Sequence, residues 1–137
     1  MKTKQIWANL GVQNIGSTQA FYQRLGYQLN GCPTDDLVSF FFGPDNFVIH
    51  FFKKEKLEES LAGKTIDLTQ GNEVMFSLAV ETKVEFDSCI SEIEKAGGSI
   101  LFDSNKDRNV YYDTNGFFVC VFADPDGHKF NLLYTEH

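Results

Sequence analysis

The chain is poor in cysteine, in basic residues and in long apolar runs. Its 137 residues include three cysteines, Cys32, Cys89 and Cys120, which lie far apart and form no Cys-x-x-Cys motif. An odd number of scattered thiols predicts reduced core residues in a cytoplasmic protein rather than a disulfide framework. Nothing in the surrounding sequence selects one of them as a catalytic nucleophile.

Positive charge is scarce as well, with 12 Lys and Arg against 19 Asp and Glu and a net charge of −7. Nucleic acids and anionic membranes are recognised by basic clusters, so we expect neither as a partner. No run approaches the roughly 18 apolar residues that span a bilayer. The N-terminus runs directly into a predicted strand. We therefore expect no signal peptide and a cytoplasmic location.

Aromatic residues, in contrast, are plentiful, and the 14 phenylalanines are enough for a sizeable core. The strongest pattern is an internal duplication. Gly43–Phe52 and Asp124–Leu133 both run from a Pro-Asp turn into an alternating apolar strand, with an offset of 81 residues. This offset superimposes His50 on Asn131. A repeat of this period predicts paired modules that bury a face against each other.

Turn chemistry marks the second copy of the repeat, at Pro125-Asp126-Gly127. Proline presets φ, the aspartate side chain can bond its own backbone, and glycine accepts a positive φ. Two apolar runs flank these residues. The C-terminal segment is therefore predicted to be a hairpin that turns at Pro125-Asp126-Gly127.

Each module is predicted to hold a strand, a helix and three further strands. We place module 1 at about residues 5–52, a connection at 53–72 and module 2 at about 73–135, all within a single domain of residues 1–137. Ser17 is the predicted N-cap of the first helix. Thr82 and Glu85 form a capping box at the second. Ser104–Gly116 is predicted to be a polar loop.

The first and last strands of each module alternate between an apolar face and a mixed face. A sheet that carries helices on one side has one wholly apolar face, whereas a mixed second face suggests a curved sheet around a cavity. Polar, aromatic and thioether side chains on the mixed face are the candidate ligand-binding residues. They are Trp7, Asn9, His50, Phe52, Met75, Ser77 and Asn131.

Two groups of motifs resemble a known superfamily. They are Leu10-Gly11-Val12 with Ser17, Phe21-Tyr22 and Leu25-Gly26-Tyr27, and Asp124-Pro125-Asp126-Gly127-His128. They are similar to motifs of the glyoxalase I, bleomycin resistance and extradiol dioxygenase superfamily, also called the vicinal oxygen chelate (VOC) proteins. The nearest resemblance is to small bacterial proteins labelled predicted lactoylglutathione lyases. It implies an α+β fold of two tandem βαβββ modules forming a curved mixed sheet around a cavity, with helices on the outer face.

The resemblance also implies where a metal would bind, because the superfamily takes its ligands from the first and last strands of each module. Those positions are Trp7, His50, Met75 and Asn131 here. Zn, Ni, Fe and Mn prefer imidazole and carboxylate ligands, so only His50 is ligand-competent. An indole offers only an N–H donor, and an amide cannot act as the proton-transfer base that the enzymes have at the Asn131 position.

Three functions remain open from the sequence, so whether the chain is an enzyme is undecided. The first is a metal-independent protein that binds planar, aromatic or drug-like molecules, and such relatives are usually homodimers with the ligand at the subunit contact. The second is a metal-dependent enzyme, similar to lactoylglutathione lyases or dioxygenases, that uses His50 and unidentified ligands. The third is metal-free acid/base catalysis by His50. A structural role is the alternative to all three functions: His50 can be a structural histidine, and Trp7 and Met75 can simply fill the cavity.

Overall fold

The structure, a computed structural model, describes residues 1–107 and 110–136, without the side chains of residues 110 and 111. Strands and helices follow one another in the order predicted for two modules. They are β1 (Ala8–Val12), α1 (Ile15–Arg24), β2 (Gln28–Leu29), β3 (Leu37–Phe42), β4 (Phe47–Lys53), α2 (Lys54–Leu61), β5 (Phe76–Ala79), α3 (Lys83–Ala96), β6 (Ser99–Asp103), α4 (Val110–Asn115), β7 (Phe117–Ala123) and β8 (Lys129–Thr135). None of the helices in these described ranges is long and apolar enough to cross a membrane.

The chain divides into two compact units, unit 1 at Met1–Asp67 and unit 2 at Leu68–His137. Each unit forms one four-stranded mixed sheet, with the order β1-β4-β3-β2 in unit 1 and β5-β8-β7-β6 in unit 2. In both, the first strand pairs parallel to the last, and the remaining pairs are antiparallel. The predicted α+β fold of two tandem βαβββ modules is therefore confirmed.

In unit 1, helix α1 covers the apolar face of the sheet. The ring of Tyr22 stacks on Phe51 with centroids 4.7 Å apart, and it also contacts Phe40 at 5.6 Å. All three residues are almost fully buried. Burial of large aromatic rings supplies most of the free energy that holds a helix to a sheet. We call this the helix face of unit 1, and the other side its open face.

Unit 2 repeats this packing with different side chains. Phe122 of β7 stacks on Phe130 of β8 at 5.4 Å, and Phe86 of α3 lies edge-on to Phe118 at 6.2 Å. The amphipathic pattern of α3 is confirmed, since Phe86, Ile90 and Ile93 are buried. The helix face of unit 2 is the side of its sheet that α3 covers, and its open face is the other side.

The helix ends show where local sequence predicts structure and where it does not. Thr82 Oγ1 accepts the backbone N–H of Glu85 at 3.1 Å, which confirms Thr82 as the cap of α3, whereas Glu85 Oε2 accepts the N–H of Glu81 rather than that of Thr82. The predicted cap of α1 is wrong, because Asn14 is the N-cap and its Oδ1 accepts the N–H of Ser17 at 2.8 Å. Asparagine and serine are both good N-cap residues, and α1 uses Asn14, which comes earlier in the chain.

Two further expectations are corrected. The predicted polar loop Ser104–Gly116 contains the short helix α4, and Tyr112 on it contacts Phe102 with ring centroids 6.2 Å apart. Cys32 is exposed rather than part of the core, because β2 ends at Leu29 and the chain continues into a loop. Cys89 is half-buried and Cys120 is buried, as expected of apolar thiols.

The open face of unit 1 is partly covered at one end. A β-carbon on Gly11 would lie 3.3 Å from Leu57 Cδ2 and 3.4 Å from Thr65 Cγ2. Helix α2 and the segment that follows it therefore pack closely against β1 at this point. Because alternate residues of a strand share a face, Trp7 and Asn9 lie on the same side as Gly11, further towards the start of the strand.

Candidate functional site

A row of polar residues crosses the open face of unit 1 on neighbouring strands. Asn9 of β1 pairs with His50 of β4, and His50 pairs with Ser39 of β3. Residues directly opposite one another in a sheet point to the same face. Asn30, just beyond β2, continues the row through a backbone N–H bond to Ser39 O at 2.8 Å.

His50 is held in this row by Ser39. Its Nδ1 lies 2.8 Å from Ser39 Oγ, and that hydroxyl also accepts a hydrogen bond from Asn30 Nδ2 at 3.1 Å. Ser39 is buried, whereas His50 is half-buried and reaches the surface of the sheet. The hydrogen bond with Ser39 therefore fixes the orientation of the imidazole, and the edge of the ring away from Ser39 is accessible.

Neither Ser39 nor Asn30 was among the site residues predicted from the sequence. The signal for Ser39 was present in the predicted hairpin, because pairing outward from Phe42 and Phe47 brings Ser39 opposite His50. Asn30 lies outside β2, at the end of the chain's shortest strand, and no local pattern identifies it.

Two aromatic rings flank the imidazole of His50. The indole of Trp7 lies edge-on to it, with ring centroids 6.0 Å apart and an interplanar angle of 71°. Phe52, two residues further along β4, also lies edge-on to the imidazole, with ring centroids 5.8 Å apart and an interplanar angle of 73°. Trp7 remains 48% exposed, so a large part of the indole is accessible. Four of the predicted residues, Trp7, Asn9, His50 and Phe52, thus lie close together on this face.

Burial lowers the pKa of His50 below its ordinary value of 6.5. The cause is desolvation, since a partly buried imidazole loses hydration that would stabilise its charged form. His50 is therefore neutral at neutral pH. A neutral imidazole has one N–H donor and one acceptor nitrogen.

The other three predicted residues lie in unit 2. Ser77 of β5 pairs with Asn131 of β8, and Asn131 Nδ2 donates a long hydrogen bond of 3.5 Å to Ser77 Oγ. Asn131 Oδ1 is buried and has no hydrogen-bond partner among the described residues. Such an atom is a ready acceptor for a ligand or a water molecule. Met75 precedes β5 and is 49% exposed.

The metal that the superfamily implies does not fit the side chains of this chain. Of the four positions that would supply ligands, Trp7, Met75 and Asn131 offer an indole, a thioether and a neutral amide. Only His50 carries a strong ligand atom for a divalent ion. Across residues 1–107 and 112–136, no three His, Cys, Asp or Glu side chains come together in a group that could hold a metal ion.

Unit 1 also has an open cavity of about 390 Å³ beside the N-terminus of α1. None of the predicted site residues lines it. Its lining residues are Gln13, Asn14, Ile15, Gly16, Gln19, Thr34, Asp35 and Lys53. The side chain of Asn14 is already used as the helix cap. The cavity therefore adds no chemistry to the row around His50.

Residues 4–132 match the model of the glyoxalase/bleomycin resistance protein/dioxygenase superfamily. The chain belongs to this superfamily. No protein among those with curated functions matches it.

Three solved structures illustrate the similarity of fold. A hypothetical protein from S. aureus is 28% identical, with a TM-score of 0.81 over 98% of this chain and 95% of that one. A glyoxalase-related enzyme from Fulvimarina pelagi is 18% identical, with a TM-score of 0.78 over 97% and 89%. The fosfomycin resistance protein FosX from Listeria monocytogenes is 16% identical, with a TM-score of 0.67 over 99% and 96%. The last two identities show a shared fold and nothing about shared chemistry.

Proposed function

We propose that this chain is a small-molecule binding protein that works without a metal ion and takes a planar aromatic ligand against Trp7 and His50. The observation that supports this most directly is the pair of rings, Trp7 and Phe52, edge-on to a neutral His50 on the open face. An exposed indole offers a flat apolar surface on which an aromatic ligand stacks. His50 and Asn9 add polar groups that orient such a ligand.

Enzymatic alternatives have less support. A metal-dependent lyase or dioxygenase needs two or three strong ligands beside His50, and the side chains at Trp7, Met75 and Asn131 do not provide them. Metal-free acid/base catalysis by His50 needs a second titratable group close to the reacting atoms. Among the described residues, Ser39 shares a hydrogen bond with His50 and Trp7 and Phe52 make ring contacts with it, and a hydroxyl, an indole and a phenyl ring do not exchange protons near neutral pH.

The proposal includes a cytoplasmic homodimer. Large apolar side chains are exposed just before the outer strand of each sheet, with Ile6 79% exposed ahead of β1 and Val74 55% exposed ahead of β5. Exposed apolar residues beside an unpaired strand edge favour association with another chain. A ligand near Trp7 would then lie close to the contact between the two copies.

Intrinsic fluorescence tests the ligand proposal, because Trp7 is the only tryptophan. Titration with a panel of planar aromatic compounds should give saturable changes in emission for at least one of them. Trp7→Ala should weaken the binding of that compound, measured by calorimetry, by about tenfold, the magnitude of one stacking contact. Val84→Ala, which truncates an exposed apolar residue on α3, is the matched control and should leave the affinity unchanged. A panel that leaves the emission unchanged, or a Trp7→Ala variant with full affinity, would contradict the proposal.

A further inference from the structure

Asn30, Ser39 and His50 form a chain of hydrogen bonds that ends at His50 Nδ1. Asn30 Nδ2 donates to Ser39 Oγ at 3.1 Å, so one lone pair of the hydroxyl is used. The hydroxyl proton of Ser39 then needs an acceptor. Within the described part of the chain, this acceptor is His50 Nδ1, which lies 2.8 Å from Ser39 Oγ. The serine therefore donates to the imidazole, and Nδ1 accepts.

A neutral imidazole that accepts at Nδ1 must carry its proton on Nε2. His50 Nε2 makes no hydrogen bond to the described residues, and it lies on the accessible edge of the ring. The atom that this face presents to a ligand is consequently an N–H donor. A metal ligand would require the opposite arrangement, with a lone pair on Nε2 and the proton on Nδ1.

We infer that Ser39 and Asn30 are positioning residues that hold neutral His50 as the Nε2–H tautomer, so that the open face of unit 1 binds an acceptor atom of its ligand, such as a carbonyl or carboxylate oxygen. The tautomer stands on the geometry alone, whereas the ligand class rests on the proposed function. Burial of Ser39 keeps water from competing for the hydroxyl proton. The two polar residues act only through His50 and touch no ligand themselves.

The amide of Asn30 gives the inference a sharp test. Asn30→Asp is nearly isosteric, but a carboxylate accepts hydrogen bonds and cannot donate them. Ser39 must then donate to Asp, and its oxygen is left to accept a proton from His50 Nδ1. The substitution reverses the direction of the whole chain of hydrogen bonds and moves the imidazole proton from Nε2 to Nδ1.

The measurement is nitrogen-15 NMR of the histidine side chains in the ligand-free protein at a pH where His50 is neutral. The wild type should show the proton on Nε2, and Asn30→Asp should show it on Nδ1. Asn9→Asp is the matched control, since it introduces the same charge on the other side of His50 without touching Ser39. It should keep the proton on Nε2. A wild-type proton on Nδ1, or an Asn30→Asp variant with an unmoved proton, would overturn the assigned tautomer.

A second measurement tests the ligand class by calorimetry with two probes of the same ring system. 2-Naphthoate carries an acceptor, and 2-naphthylmethylammonium carries only donors. The wild type should prefer naphthoate, against the net charge of −7, and Asn30→Asp should lose at least tenfold more of that preference than Gln28→Asp, which adds the same charge at an exposed residue of β2. A wild type that prefers the ammonium probe would overturn the acceptor class. If neither probe binds, the proposed function and the ligand class fail together, while the NMR result decides the tautomer independently.

Discussion

The indole ring of Trp7 stands edge-on to the imidazole of His50, with centroids 6.0 Å apart. The resemblance to the superfamily implies that both residues stand at metal-ligand positions, yet an indole N–H has no lone pair to offer. The two side chains form an aromatic surface with one polar edge. We therefore predict that protein purified without chelator contains far less than one divalent metal ion per chain, measured by mass spectrometry.

His50→Ala is the control for this first prediction, because it removes the only strong ligand at the four positions. The metal content should be equally low in the variant and in the wild type. One tightly bound Zn or Ni per wild-type chain that disappears in His50→Ala would contradict the prediction and favour the metal-dependent enzyme.

The lowered pKa of His50 predicts a pH dependence of stability. In the unfolded chain this histidine titrates near 6.5, whereas in the folded state desolvation holds its pKa below that value. Below pH 6.5 the unfolded state therefore binds more protons, so acid favours unfolding. The free energy of unfolding should decrease as the pH falls from about 6.5 through the folded pKa, and His50 should add no slope above that window.

Chemical denaturation at a series of pH values measures this effect. His50→Gln removes the titrating group and keeps a polar side chain of similar reach. The wild type should lose more stability than His50→Gln between pH 7 and pH 5. Equal losses in the two proteins would show that His50 has the same pKa in the folded and unfolded states.

Much of the fold could be predicted from the sequence because the repeat and the alternation are strong local signals. The sequence pattern predicts strands at Leu37–Phe42, Ser99–Asp103 and Phe117–Ala123, which are the observed bounds of β3, β6 and β7, and both module helices are present. The shorter elements were predicted poorly, since β2 has only two residues and α4, which lies in a predicted loop, has only six. Elements of that length depend on tertiary contacts, such as the one between Tyr112 and Phe102, more than on their own propensity.

The candidate site shows the same division between local and long-range information. Alternation along β4 was enough to place His50 and Phe52 on the open face. The partners of His50 required strand register, which depends on the hairpin turn. The conformation of Asn30 beyond β2 depends on its backbone bond to Ser39, so no local pattern predicts it.

The hairpin turn of unit 2 gives a third prediction. Beside Asp126, which the sequence singled out, the structure adds Asp124 as a residue that organises the turn. Its Oδ1 accepts the backbone N–H groups of Asp126, Gly127 and His128 at 2.9–3.0 Å. Asp124 is buried, so loss of its side chain removes an acceptor that these N–H groups share, although Gly127 N–H also lies 3.0 Å from the Asp124 carbonyl oxygen.

We predict that Asp124→Ala lowers the free energy of unfolding by about 3 kcal/mol, since each hydrogen bond to a charged group contributes about 1.5–3 kcal/mol and the donors regain some bonds to water. Asp124→Asn keeps an oxygen in the same place and should cost about half as much. Asp126→Ala, at the position that the sequence favoured, should cost clearly less than Asp124→Ala. Denaturant titration measures all three, and equal losses for the two alanine variants would contradict the role of Asp124.

Oligomeric state gives the fourth prediction. Ile6 and Val74 are 79% and 55% exposed, each just ahead of the outer strand of its own sheet. Burial of apolar area of this kind favours association by about 25 cal/mol per Å² before the entropic cost of association is subtracted. We therefore expect light scattering at micromolar concentration to give twice the chain mass of 15.5 kDa.

A charged residue in place of Ile6 or Val74 should weaken the dimer, because association would then bury an unpaired ion. Val74→Asp should shift the mass towards that of one chain without lowering the stability of the fold, since the residue is exposed. Ile66→Asp, at a position that is 57% exposed but lies outside both strand edges, is the control and should remain dimeric. A wild type with the mass of a single chain would exclude the dimer, and a Val74→Asp variant as dimeric as Ile66→Asp would place the contact elsewhere on the surface.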